Sequence, residues 1–449
     1  MGSFFWNLGA FIVALGVLVA VHEFGHFWVA RRNGVKVERF SIGFGKPLWR
    51  RTAKDGTEYV LAMIPLGGYV KMLDSRVEAV PAELETQAFN HKSVWARMAI
   101  VLAGPMANFV FAIFACWLMF LIGIPSVKPV LNAVTPSSVA AQGGLNAGME
   151  LKAIDGKKVR TWEEVNFALL GRLGEDETVF TVQDAQGQTK NAALQLANWQ
   201  FNPELESPIT ALGLIPEGPS LTLEVANVVA EGPAAVAGVQ QGDKLVAING
   251  EPLADWQQLV SKVQASPEIT LELEVTRQGQ TQQLSLTPKR VETAERVIGY
   301  AGLAPTVVPV AEHYRFDLRY GPFAAIGEGV GRTWDLTVLT FQMLGKLVTG
   351  VVSVDNLSGP ISIAKGAGAT AEYGLVYFLG FMALVSVNLG IINLLPLPVL
   401  DGGHLLFYVI EAVTGRPVPE KIQEIGFKIG AALLFMLMGL ALFNDFARL

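Results

Sequence analysis

The sequence predicts a polytopic α-helical membrane protein with four transmembrane helices and two tandem β-rich domains inserted between the second and third of them. Three observations carry this. About half of the 449 residues are hydrophobic and the mean hydropathy is positive, which separates the chain from soluble globules. Four runs reach the ~20 apolar residues that a bilayer-spanning helix needs. The polar stretch between the second and third runs contains an internal repeat.

The first run, from about Phe4 to Ala30, is followed by Arg31 and Arg32 and lacks both a basic start and a small-residue cleavage site. It reads as a retained anchor. The next loop holds Arg31, Arg32, Lys36, Arg39, Lys46, Arg50, Arg51 and Lys54, whereas residues 1–21 hold no Lys or Arg. The positive-inside rule therefore puts that loop in the cytoplasm and residues 125 to about 320 outside. The second run, 98–124, has no charged residue. It contains the single cysteine, Cys116, so no intrachain disulfide exists.

The repeat aligns "AAQGGLNAGMELKAIDGKKVRTW" (140–162) with "AAVAGVQQGDKLVAINGEPLADW" (234–256) without a gap. Each copy predicts a short helix, a Gly turn, a strand, a second turn and an amphipathic helix. Residues 321–350 are apolar but carry Glu328, Arg332, Asp335 and Lys346. They predict an amphipathic helix on the membrane surface, with a linker helix packed on the soluble domains as the alternative. The third run, Gly374 to about Leu397, is uncharged, and the fourth, Gly426 to Phe443, contains only Lys428 near its start, where a lysine snorkels. The expected units are 1–127, 128–220, 221–309, 310–372 and 373–449. The modest net charge of −6, with no basic block, gives no reason to expect nucleic acid.

The chemistry is in "HEFGH", residues 22–26, at the end of the first run. Residues i and i+4 share a helix face, so His22 and His26 can grip one zinc ion. Glu23 can reach a water there and act as general base, then as acid toward the leaving amine. The pattern arises by chance roughly once in a hundred chains of this length. Histidines at the membrane interface with a snorkelling Glu23 are the bland alternative, disfavoured by the cost of charge at membrane depth. A hydrolytic zinc needs a third protein ligand. In "NLGIINLLPLPVLDGGHLL" (388–406), Pro396 and Pro398 break the third helix, and irregular backbone at that depth is tolerated where it lines a buried cavity. Asp401 follows, either as a helix N-cap or as a ligand, with His404 as its rival. Spacing does not choose between them.

"HEFGH" in the first membrane helix together with "NLLPLPVLDGG" at the end of the third resembles the site-2 protease family of intramembrane zinc metalloproteases. "AGPMANFVFAIFA" (103–115) and the paired repeats, which are PDZ-like, fit the same family, and the resemblance covers essentially the whole chain. It implies His22, His26 and Asp401 as ligands of one zinc ion, Glu23 as catalytic base, and for His404 either a structural role or one supporting the ligands from behind. It implies that Asn388 and Asn393 contact unwound substrate or stabilise the oxyanion; interhelical hydrogen bonding is the alternative for each. Pro396 and Pro398 fall in the same substrate-contacting region. A membrane-reentrant β-hairpin is implied at 58–73, with Gly67 and Gly68 holding substrate by strand addition. "GFG", with Gly43 and Gly45, is implied as a neighbouring loop. The PDZ-like domains are implied to screen single-span membrane substrates, such as an anti-sigma factor and leftover signal peptides, by size. The setting implied is the bacterial inner membrane, with the domains periplasmic and the site toward the cytoplasm. The expected partners are the lipid bilayer and such substrates, and the expected state is a monomer.

Two other functions compete. A metal or proton transporter would use intramembrane His and Asp, but transporters repeat their membrane helices, and here the repeat is in the soluble part. A non-catalytic membrane scaffold leaves His22, Glu23 and Asp401 without a purpose.

Overall fold

The computed structural model describes residues 2–77, 79–197, 199, 206–292, 297–354 and 358–447. Its helices in chain order are α1 (Gly2–Arg32), α2 (Val94–Ile122), α3 (Val139–Gln142), α4 (Trp162–Leu170), α5 (Pro208–Ala211), α6 (Pro233–Val236), α7 (Trp256–Gln264), α8 (Pro322–Val348), α9 (Pro360–Tyr373), α10 (Leu375–Leu394), α11 (Asp401–Thr414) and α12 (Glu420–Ala447). Among the described residues, α1, α2, α10 and α12 are the helices long and apolar enough to cross a membrane.

Helix α2 is the hub of the bundle. Without a hydrophobic drive between helices in lipid, close approach relies on small residues. A Cβ on Gly25 of α1 would lie 2.3 Å from the Ala103 carbonyl oxygen, so the two backbones touch there. On the α10 side, Gly390 faces the Pro105 carbonyl and the Phe109 ring. Ala112, Ala115, Cys116 and Met119 of α2 form a common core with Ala383, Val387 and Ile391 of α10. Helix α12 is peripheral and mostly exposed. At its far end Asp445 accepts hydrogen bonds from the backbone N–H groups of Gly359, Ile361 and Ser362 at 2.8–3.2 Å, capping the start of α9. Near its start, Gly426 and Gly430 pack against Pro398.

Between α1 and α2 lies a ribbon of two long strands, β1 (Val37–Thr52) and β2 (Glu58–Met72). The stretch 58–73 does not close on itself as the expected hairpin. It runs as one strand through "PLGG" and pairs with β1, the turn falling at 53–57. The ribbon folds over so that Ile42 stands opposite both Leu61 and Gly68. Gly67, at φ +131°, supplies the backbone freedom for that course.

The two repeats fold alike. Strands Glu150–Ile154 and Lys244–Ile248 each follow a short helix, α3 or α6, and lead to α4 or α7. Asp155 and Asn249 occupy the same left-handed position, at φ +47° and +51°. Each accepts a backbone N–H with its side chain, from Val179 and Glu272, both at 2.8 Å. The likeness extends beyond the aligned segment. Thr135 N–H bonds the Gly213 carbonyl and Val229 N–H bonds the Gly302 carbonyl, both at 2.8 Å, within "LGL" and "AGL". Each copy has its own core, around Leu151, Phe180 and Leu194 in one and Leu245, Leu273 and Val275 in the other.

Helix α8 has three faces. Ala325, Gly329, Thr333 and Leu336 are buried, and Gly329 abuts the α2 backbone at Ile113 and Trp117. Glu328, Arg332 and Asp335 pair with Arg160, Glu163 and Lys157 of the first repeat at 2.5–3.2 Å. Phe323, Ile326, Val330, Trp334 and Phe341 remain exposed. The helix therefore packs on the spanning bundle and on the first repeat together.

Helix α11 is fastened to α2 by Arg97, which donates to both carboxylate oxygens of Glu411 at 2.7 and 3.2 Å and lies 4.9 Å over the Tyr408 ring. Both charged side chains are largely buried. Glu411→Ala leaves a dehydrated guanidinium without its carboxylate, and we expect it to cost roughly 3 kcal/mol, read as a lower melting temperature in detergent.

Candidate metal centre

His22 and His26, one turn apart on α1, bring their rings to a centroid distance of 4.8 Å at 82°. Their Nε2 atoms are 3.2 Å apart. Asp401, the first residue of α11, places Oδ2 3.2 Å from His22 Nε2 and 3.3 Å from His26 Nε2. The three ligand-capable atoms lie within 4.8 Å of one another. Asp401 Oδ2 is buried and has no hydrogen-bond partner. Two imidazole nitrogens and a dry carboxylate oxygen, all lone-pair donors and all converging on one point, suit a divalent cation that accepts N and O ligands.

Each donor is placed by backbone contacts. His26 Nδ1–H donates to the Ile100 carbonyl at 2.8 Å, which leaves the Nε2 lone pair facing Asp401. A Cβ on Gly104 would lie 2.2 Å from His26 Nε2. The Asp401 turn is as tight. After α10 ends at Leu394, Leu397 N–H bonds the Leu395 carbonyl and Leu400 N–H bonds the Leu397 carbonyl. A Cβ on Gly402 would lie 2.2 Å from the Leu395 oxygen, and one on Gly403 2.3 Å from Pro398 Cα. The two glycines let the first turn of α11 fold back onto this loop. Pro396 is exposed and Pro398 is wedged between Gly403 and α12.

Asp401 is not the N-cap considered from the sequence. Leu400 holds that place without a side-chain bond, and the Asp401 carboxylate is directed to the histidines instead. Its rival His404 lies against the Phe427 ring of α12, 5.2 Å between centroids, outside the three-residue cluster.

Glu23 sits beside the ribbon: a Cβ on Gly68 would meet Glu23 Cγ at 2.9 Å and the Ser41 carbonyl at 2.7 Å. Among the described residues the Glu23 side chain makes no hydrogen bond. Gly43, at φ +89°, lies against the Ile64 and Ala62 carbonyls, and Phe44 covers Gly67 and stacks on Tyr69. Gly45 also has φ +89° and faces the Ile64 side chain. "GFG" and "GG" thus interlock at one place on the ribbon. Asn388 Oδ1 accepts the Thr340 hydroxyl of α8 at 2.7 Å, the interhelical bond that was its alternative role. The Asn393 side-chain amide makes no hydrogen bond among the described residues.

A family model, peptidase family M50, matches residues 10–437. This chain belongs to peptidase family M50. Relatives that align over the full length of both chains include the regulator of sigma-E protease RseP of Escherichia coli (strain K12), 54% identical, and protease RseP of Yersinia pestis, also 54%. The regulator of sigma-E protease RseP of Salmonella typhimurium (strain 14028s) is 53% identical. The M50 chain is a zinc metalloprotease and a membrane protein, as the motif in its first apolar helix led one to expect.

Reading the sequence alone did not assign work to Ile100, Gly104 or Asn108. A signal existed for two of them. Gly104, Pro105 and Asn108 fall together in an otherwise apolar run, and such residues in a membrane helix mark contacts.

Gly104→Ala and Gly402→Ala should each displace one donor. We expect both to lower zinc affinity by about tenfold or more, measured by chelator competition on the purified protein, while the helix content stays unchanged.

Proposed function

We propose that His22, His26 and Asp401 hold the zinc ion and that Glu23 is the general base of an endopeptidase acting on transmembrane segments. One observation carries this reading: Asp401 Oδ2, dry and buried, faces the Nε2 atoms of both histidines from a distant part of the chain. When bound, zinc supplies Lewis acidity toward a water and toward the scissile carbonyl. The Glu23 carboxylate takes the proton from that water and returns it to the leaving amine. His26 is kept in its ligating tautomer by the Ile100 carbonyl.

A substrate helix hides its peptide bonds in its own hydrogen bonds and must be held extended. The ribbon offers backbone for strand addition next to Glu23, at Gly67 and Gly68, with "GFG" (Gly43, Gly45) beside it. The unbonded Asn393 amide, and the Nδ2 of Asn388, serve as donors to extended substrate or to the oxyanion. Pro396 and Pro398 border the same loop.

The two repeats act as PDZ-like domains that screen substrates by size. The basic loop after α1 orients the chain with the metal centre toward the cytoplasm and the repeats in the periplasm of a bacterial inner membrane. The substrates are single-span proteins, an anti-sigma factor among them, as the regulators of sigma-E named above suggest. The enzyme works as a monomer.

Glu23→Gln should retain zinc and lose cleavage of a transmembrane model substrate by at least about 100-fold; cleavage at the normal rate contradicts the assignment. Deleting 128–305 should widen the range of substrates cut while cleavage persists. Loss of all cleavage in a folded deletion variant counts against the screening role.

A further inference from the structure

From residue 98 to 124 the strongly polar side chain is Asn108. It is completely buried and stands where three helices meet. Its amide Nδ2 is placed 3.1 Å from Nδ1 of His22 on α1. Its backbone carbonyl accepts the Ser386 hydroxyl of α10 at 2.8 Å. Amides inside helix bundles are commonly interhelical fasteners. That role accounts for the Ser386 bond, which uses the main chain and would survive any side chain at position 108. It does not account for the amide. Among the described residues the amide's one hydrogen-bond partner is the outer nitrogen of an imidazole in the metal centre.

His22 Nε2 faces Asp401 and His26. If Nε2 donates its lone pair to a cation, the ring proton is on Nδ1, and Nδ1–H then needs an acceptor. A half-turn of the Asn108 amide exchanges its nitrogen and oxygen, so Oδ1 takes the position beside Nδ1. Each orientation leaves one amide atom dry, Oδ1 as placed and Nδ2 when turned. Hydrogen-bond counting therefore does not choose between them; the ligand role of Nε2 does.

We infer that Asn108 is the positioning residue of His22: its amide oxygen accepts Nδ1–H and fixes the ring and tautomer that present Nε2 to zinc. It is the counterpart of the Ile100 carbonyl on His26, so α2 holds both imidazoles from behind. In the metal-free ring the same amide, turned over, donates to Nδ1 instead. The inference rests on the ligand assignment proposed above.

The test uses the full-length protein in detergent, with zinc affinity measured by chelator competition and the cobalt-substituted site read by its absorption spectrum. Asn108→Leu keeps the shape without an acceptor and should weaken zinc about 10–100-fold and alter the cobalt spectrum. Asn108→Asp restores an acceptor and should stay within about threefold of the parent. Should Leu not be accommodated, Asn108→Ala, which keeps the Ser386 bond, gives the same reading. Parental zinc affinity in the Leu or Ala variant overturns the inference, as does equal loss in the Leu (or Ala) and Asp variants. Undiminished zinc in His22→Ala instead overturns the ligand assignment itself, which keeps the two failures apart.

Discussion

Three lone-pair donors, two imidazole nitrogens and one carboxylate oxygen, are held within 4.8 Å of each other in a part of the chain made for lipid. Left to themselves they would repel or seek water, and a charged group there without a partner costs several kcal/mol. A divalent cation resolves that conflict. The rest of the membrane region can be understood as what is needed to keep the donors in place.

Most of that holding is done by the main chain. Gly25 lets α1 touch α2, Gly104 leaves space for the His26 ring, Gly402 and Gly403 fold Asp401 back onto the broken end of α10, and Gly68 brings the ribbon against Glu23. A Cβ at any of these positions would fall within 3 Å of another atom, often a backbone atom. Backbone contacts are stiffer than contacts between long side chains, which suits a ligand set that tolerates little displacement. The Arg97–Glu411 pair and the Asp445 cap of α9 then fasten the peripheral helices to this core. Zinc chemistry near lipid thus rests on a few close approaches and two polar clasps.

The parts legible in the sequence were those coded locally. Hydropathy gave the four spanning runs, helical spacing gave His22 and His26 a common face, and a gapless repeat gave two like units. Other parts depend on which distant segments meet. Spacing alone could not separate Asp401 from His404, because their difference is only which way each faces: one toward α1, the other toward Phe427 of α12. The resemblance implies a hairpin within 58–73, yet the segment pairs with β1 instead, and the positive φ of Gly67 permits its course. Asn388 could have faced substrate or a helix, and Thr340, 48 residues away, supplies the helix. The "LGL" and "AGL" loops of the repeats escaped notice because an insertion breaks their alignment. Their shared hydrogen bonds to Thr135 and Val229 reveal them.

The account depends on one centre that draws ligands from both ends of the chain. X-ray absorption at the zinc edge of the purified, zinc-loaded protein measures that centre most directly. It should show one zinc per chain with two imidazoles and otherwise oxygen ligands, and Asp401→Ala should change the oxygen contribution while both imidazoles remain. A zinc shell holding a single imidazole, or one that Asp401→Ala leaves unchanged, would contradict it.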